Sequence, residues 1–446
     1  MRTRPLLPAA ALLLALAAPA SAGASAVAPG HVLVRYERSA TRAERVAVER
    51  ATGTRSAASL PGGSSQLTIE DGESVASTLA ELRAQPGVSQ ARPDYRLHKA
   101  AAFYPNDPGR GAPGDWRELQ WNFAGPFGIR APQAWATMRA LDRDGGRGVV
   151  VAVIDTGVAY RDKGDAKMAP DLYRGRFVAG WDFIGHDRYP LDEDSDGHGT
   201  HVTGTIAEHV NNRKAVTGIA YGVKIMPIRV LNSHGDGDGA TFARSIKWAA
   251  DHGADVINMS VAFDADLRAR DIPEVIDAIR YAHGKRVVMV GASGNESLNH
   301  LDYPARDANV ISVGATTSFG CQAQYSNFGD GLDVIAPGGG DDAALSGSSW
   351  DLAHCDPDRG GRVVFQQTFR SKPRKFQLIG FTGTSESAPH VSAIAALVIA
   401  SGRLGSNPTP AAVLKRIESS ARDIGPAGYD KRYGHGLVDA AAAVAP

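Results

Sequence analysis

Apolar residues gather in short, almost unbroken runs along the chain from Val149 onward: VVVAVID ending at Asp155, KIMPIRVL, DVINMS, RVVMVGASGN, NVISVGAT and LDVIAP. Runs of this kind fit strands buried on both faces. Between several of them the apolar positions shift to helical spacing, as in GATFARSIKWAADHG, DIPEVIDAIRYAHG and TPAAVLKRIESSA. The alternation predicts an α/β domain in three layers, with a mostly parallel central sheet between helices. Ligands of such sheets bind beyond the carboxyl ends of the strands, so residues at those ends are the first candidates for chemistry.

The earlier part of the chain reads differently. From Val27 to Lys99, strand patterns (HVLVRY, SQLTIE, VSQARPDYRL) alternate with helical ones (RAERVAVERA, ESVASTLAELRAQ). That pattern predicts a small α+β, ferredoxin-like unit, its helices on one face of an antiparallel sheet. Residues 100–116, AAAFYPNDPGRGAPGDW, have the Pro, Gly and Asp content of a linker. The chain opens with two arginines, an apolar stretch from Leu6 to Ala18 and the small residues Ala20, Ser21 and Ala22. This is the layout of a secretory signal peptide over residues 1–22. The stretch is too short for a membrane anchor, and no later segment reaches about 18 uninterrupted apolar residues. A soluble, exported protein is expected.

Charge narrows the partners. Acidic and basic side chains balance at 48 each, so nothing electrostatic favours nucleic acid, an anionic membrane or a polyanionic substrate. Export also places the two cysteines, Cys321 and Cys355, in an oxidising compartment, where a bond between them is permitted. Two buried thiols are the alternative.

Candidate chemistry sits where the sheet argument puts it. VVVAVIDTG brings Asp155 to the end of a buried strand, where a carboxylate is costly without a hydrogen-bonding partner. GHGTHVTGTIA starts a small-residue helix at His198, and GFTGTSESAPHVSAIAALV starts another at Ser385. A serine hydroxyl becomes nucleophilic when a base takes its proton, and the base needs an acceptor on its far nitrogen to hold its tautomer. Asp155, His198 and Ser385 supply these groups, in the chain order Asp, His, Ser.

VAVIDTGV, GHGTHVTG and GTSESAPHV closely resemble the three active-site motifs of the subtilisin-like serine proteases. The likeness runs from about Gln120 to YGHGLVDAAAAV, and the segment from Val27 to Lys99 resembles the family's inhibitory propeptide. The resemblance implies a catalytic domain over residues 117–446, with His198 as base, Ser385 as nucleophile and Asp155 as its orienting carboxylate. It makes Asn295, after Gly294, the oxyanion donor. It makes Ser260, Val261 and Ala262 the strand that pairs with substrate, although Ala262 and Phe263 stand where the family has glycines. Counting back from Tyr303-Pro304, Asp302 falls at the base of the S1 pocket, where a carboxylate would prefer a basic P1 residue such as Lys99 at the propeptide's end. Glu386 stands where the family usually has Met.

The family's structural calcium site maps onto side chains of Gln120, Asp171 and Asn212 and carbonyls of Val210, Lys214 and Val216, an oxygen-only set suited to Ca2+. An exposed loop is the alternative. No catalytic metal is expected: the zinc pattern HExxH is missing around His198 and His201, and His201 reads as a packed neighbour of the base. DEDSDG, residues 192–197, imitates half of an EF-hand loop but lacks its terminal Glu, and reads as a solvated loop. The expectation is a secreted, monomeric serine endopeptidase acting on polypeptides, made as a zymogen with its own propeptide as inhibitor.

Overall fold

A computed structural model describes residues 27–95, 102–263, 267–345 and 348–446. The expected signal peptide and Lys99 lie outside the described residues. The chain divides into two compact units between Lys99 and Ala100.

In the first unit, strands β1 (Val27–Tyr36), β2 (Thr54–Leu60), β3 (Ser64–Ile69) and β4 (Val88–Tyr95) form a sheet in the order β2-β3-β1-β4. Neighbouring strands are antiparallel. Alternate residues Val32, Val34 and Tyr36 are buried, as the period of two requires, and they pack with Leu67 and with Val48, Leu79 and Leu82 from two helices. The first of these helices, Arg42–Ala51, opens with a capping box between Thr41 and Glu44.

The second unit is built on a seven-stranded sheet of order β11-β10-β9-β8-β5-β7-β6. Its strands are β5 (Val150–Asp155), β6 (Trp181–Asp182), β7 (Lys224–Arg229), β8 (Val256–Met259), β9 (Val288–Ala292), β10 (Val310–Thr316) and β11 (Val334–Pro337). Every pairing is parallel. Successive β5 residues feed opposite cores: Val151 and Val153 pack with Val391, Ile394 and Leu397, while Ala152 and Ile154 pack with Ile246 and Ile279. That is the expected three-layer α/β sandwich. The helix Thr384–Ser401 runs through one layer with its side chains buried from Thr384 to Val398, Ser385 excepted, which explains its apolar character on all sides.

Two features were not expected. The stretch read as a linker is packed from Phe103 onward: Phe103 N donates to Pro132 O, Trp116 Nε1 donates to Pro105 O, and Trp116 and Asp107 are fully buried. Its prolines and glycines shape a closely fitted arm. Before the Ser385 helix, strands β12 (Val364–Phe369) and β13 (Phe376–Phe381) form an antiparallel hairpin. Cys321 and Cys355 are joined in a disulfide with Cα atoms 5.7 Å apart, tying the loop after β10 to the insertion that carries this hairpin.

Candidate active site

Asp155 ends β5 fully buried, and its Oδ1 accepts from Thr156 N at 2.7 Å and from His198 Nδ1 at 2.8 Å. His198 is the first residue of the helix His198–Ala207, entered through Gly197 at φ 65°. Glycine is also required next to the histidine: a Cβ on Gly199 would lie 2.2 Å from Gly157 O and 3.0 Å from Asp155 Oδ1. The helix start can therefore close onto the strand end.

The acidic run before His198 is solvated only in part, at Glu193, Ser195 and Asp196. Asp192 is fully buried, accepting from Thr200 N and Oγ1 at 2.9 and 2.6 Å and from Thr156 Oγ1 at 2.9 Å. Burial pushes its carboxyl up to about 7. Asp194 Oδ2 accepts from His198 N, while Glu193, Ser195 and Asp196 reach solvent, where Asp196 pairs with Arg370 at 2.6 Å. The run is a bracket that fastens the His198 helix to the β5 end, a role that depends on partners distant in sequence.

Ser385 lies in the first turn of its helix and shares a cleft of about 600 Å³ with His198, Ser260, Val261, Ala262, Asn295 and Glu386. Its Oγ donates to Ser260 O at 3.2 Å, and Ser260 Oγ returns a bond to Ser385 O at 2.8 Å. Asn295 Oδ1 accepts from Thr384 N and Oγ1 at 2.8 and 2.9 Å, which orients its amide. Its Nδ2 and the backbone N of Ser385 lie 3.8 and 3.6 Å from one point beside Gly383. Burial is the largest influence on His198 and lowers its pKa. The charge and hydrogen bond of Asp155, with the charges of Glu386 and Asp192, outweigh it and raise the ring to about 10.

The side chain of Asp302 is 1 % exposed, its Oδ2 accepts from Asn327 Nδ2 at 3.0 Å, and it lies against Gly294, which is also among the expected substrate-binding residues. Gly294 takes φ 111°, and a Cβ there would come within 2.1 Å of the Asp302 carboxylate. The bulk of Phe263 goes into an edge-on contact with Phe242, and its backbone N binds Tyr303 O.

Of the expected calcium ligands, Asp171 and Asn212 meet: Asn212 Nδ2 lies 2.6 Å from Asp171 Oδ1, and Asn212 Oδ1 accepts from Lys214 N. Gln120 is fully buried, and its Oε1 accepts from Thr217 N and Oγ1. Val210, Lys214 and Val216 belong to a loop that curls through positive φ at Asn211, Arg213 and Ala215. Two acids missed in the sequence stand here. Asp107 caps the N–H groups of Asn211 and Asn212, and Glu208 is buried nearby. Asp171 Oδ2 and Glu208 Oε2 are buried without partners, and burial pushes Asp171 up to about 7. Buried carboxylate oxygens without partners are the kind of ligand that suits a hard cation.

A three-layer α/β protein that gathers carboxylate, imidazole and hydroxyl at its strand ends stands, as a class, with the serine hydrolases. The Subtilase family model matches residues 146–436. The chain is 32 % identical to thermitase of Thermoactinomyces vulgaris, over 72 % of this chain and 95 % of that protein. It is 32 % identical to subtilisin Savinase of Lederbergia lenta, over 71 % and 98 %. A solved protease structure from Pseudoalteromonas arctica superposes with a TM-score of 0.61 at 30 % identity, covering 76 % of this chain and 98 % of that one. The chain belongs to the subtilase family and is a serine endopeptidase.

Proposed function

We propose that this protein is an exported endopeptidase, made as a self-processing zymogen, that cleaves polypeptides through an acyl-enzyme on Ser385. The 2.8 Å bond between His198 and Asp155 in one cleft with Ser385 and Asn295 carries the reading. Asp155 fixes the tautomer in which Nδ1 bears the proton, leaving Nε2 as base. Ser385 Oγ attacks the scissile carbonyl carbon while His198 takes its proton. The oxyanion is held by the Ser385 N–H, at a helix start whose dipole favours negative charge, and by the Asn295 amide. His198 then protonates the leaving amine, and water admitted to the same site releases the acyl group. Peptide lies along Ser260 to Ala262 as an added strand.

The N-terminal unit serves as the inhibitory propeptide, and residues 1–22 direct export. In an exporting host, wild type should therefore mature to a shorter chain, whereas Ser385→Ala should keep the N-terminal unit covalently attached. Equal processing of both, read by intact mass, would show that another protease makes the cut.

Asp171, Asn212, Gln120 and the carbonyls of Val210, Lys214 and Val216 would hold Ca2+, the Asn212 and Gln120 oxygens exchanging Lys214 N and Thr217 for the ion, with Asp107 and Glu208 adding negative charge nearby. A bound ion supplies structural charge balance and stabilises the folded state by mass action, about 2.7 kcal/mol at a hundredfold excess over Kd. Chelation should accordingly lower the melting temperature by roughly 5 °C, and Asp171→Asn should largely erase the difference. A melting curve indifferent to calcium in the wild type would count against the site.

A further inference from the structure

Glu386 follows the nucleophile directly, is 2 % exposed, and joins the cleft wall. Its two oxygens face two parts of the chemistry. A point one bond from Gly383 Cα, on the side where a Cβ would project, lies 2.7 Å from Glu386 Oε2, 3.6 Å from Ser385 N and 3.8 Å from Asn295 Nδ2. Glu386 thus borders the space between the two oxyanion donors. On the other side, Oε1 stands 3.6 Å from His201 Nδ1, and neither atom has a hydrogen-bond partner.

The state of His201 decides what this means. Its Nε2 is 3.1 Å from Val364 O on the hairpin, so it carries the proton and donates it there. Burial pulls the ring down to about 3, so it is neutral and Nδ1 offers a lone pair. Phe381, 4.5 Å from the ring by centroids, covers it. An ionised Glu386 meets that lone pair without a donor, whereas a neutral Glu386 can place its proton between them. Burial pushes Glu386 up to about 7. The titratable groups around it are His198 and His201 from one helix, Asp155 from β5, Tyr325 from the loop after β10, and His390 on its own helix, where Nδ1 binds Glu386 O. Of these, His198 alone offsets its negative charge.

We propose that Glu386 is a positioning residue that couples to His198 and sets the pH at which the base becomes available. Ionised, it holds His198 as imidazolium to higher pH; the neutral acid, sharing its proton with His201, exerts no such hold. Because Glu386 is buried whereas the His198 side chain is 26 % exposed, salt screens the coupling in part. The protons leave the pair in steps that belong to both residues.

This inference rests on His198 being the base, and the test separates the two. The pH dependence of kcat/KM on a peptide substrate is to be measured for wild type, Glu386→Gln, Glu386→Met and His198→Ala. In both Glu386 variants the rising limb should move about one unit toward acid. One unit below the wild-type midpoint, each should then retain about fivefold more of its own plateau than wild type does. Glutamine keeps the shape and methionine supplies an apolar side chain, so agreement between them isolates charge from packing. A lowered plateau with an unmoved midpoint in both variants would overturn the role of Glu386. Undiminished turnover in His198→Ala would instead overturn the assignment of the base.

Discussion

Ser385→Ala and His198→Ala should each lower kcat on a peptide substrate by a factor on the order of 10⁶, and the double replacement should lower it hardly further. The reason lies in how the groups share one event. Without His198 the hydroxyl keeps its proton, and without Ser385 the base has nothing to activate, so either loss removes the whole nucleophilic step. KM should move little, because the peptide is held along Ser260 to Ala262, apart from the proton transfer. Asp155→Ala should cost less, on the order of 10⁴, since it removes the 2.8 Å bond that orients His198 but leaves the imidazole in place. Steady-state kinetics on the four variants decides the matter. Additive losses in the double variant would mean that Ser385 and His198 act independently.

Asn295→Ala should lower kcat by about 10²–10³ with KM nearly unchanged, the behaviour of a donor engaged mainly in the transition state. Thr384 receives the Asn295 Oδ1 through two hydrogen bonds, so the amide is aimed before substrate arrives. Asn295→Asp keeps the size and the acceptor toward Thr384 while replacing the donor with a charge. It should be at least as slow as the alanine variant. A loss confined to KM in either would place Asn295 in substrate binding and outside the oxyanion hole.

The central sheet was legible because each strand is buried on both faces, which makes its apolar run continuous over a few residues. Asp155, His198 and Ser385 were legible for a related reason: each follows a local pattern that ends a strand or begins a helix. What escaped the sequence depends on contacts across the chain. Asp192 reads as solvated among its acidic neighbours, and only Thr156 and Thr200 reveal it as buried structure. Asp107 sits in a stretch with linker composition, yet it caps a loop more than a hundred residues away. Asp302 could be counted to a place near Gly294, but the bond from Asn327 that holds its carboxylate there has no local sign in the sequence. The β12–β13 hairpin gives no local sign that it will cover His201 and, through it, bear on Glu386.

The most direct test of the whole account is covalent titration of the nucleophile. A fluorophosphonate probe should label the mature wild-type protein once, at Ser385 by peptide mapping, with polypeptide cleavage lost in proportion to labelling. His198→Ala should take up the probe far more slowly. Cleavage that persists after Ser385 is fully labelled would contradict the account.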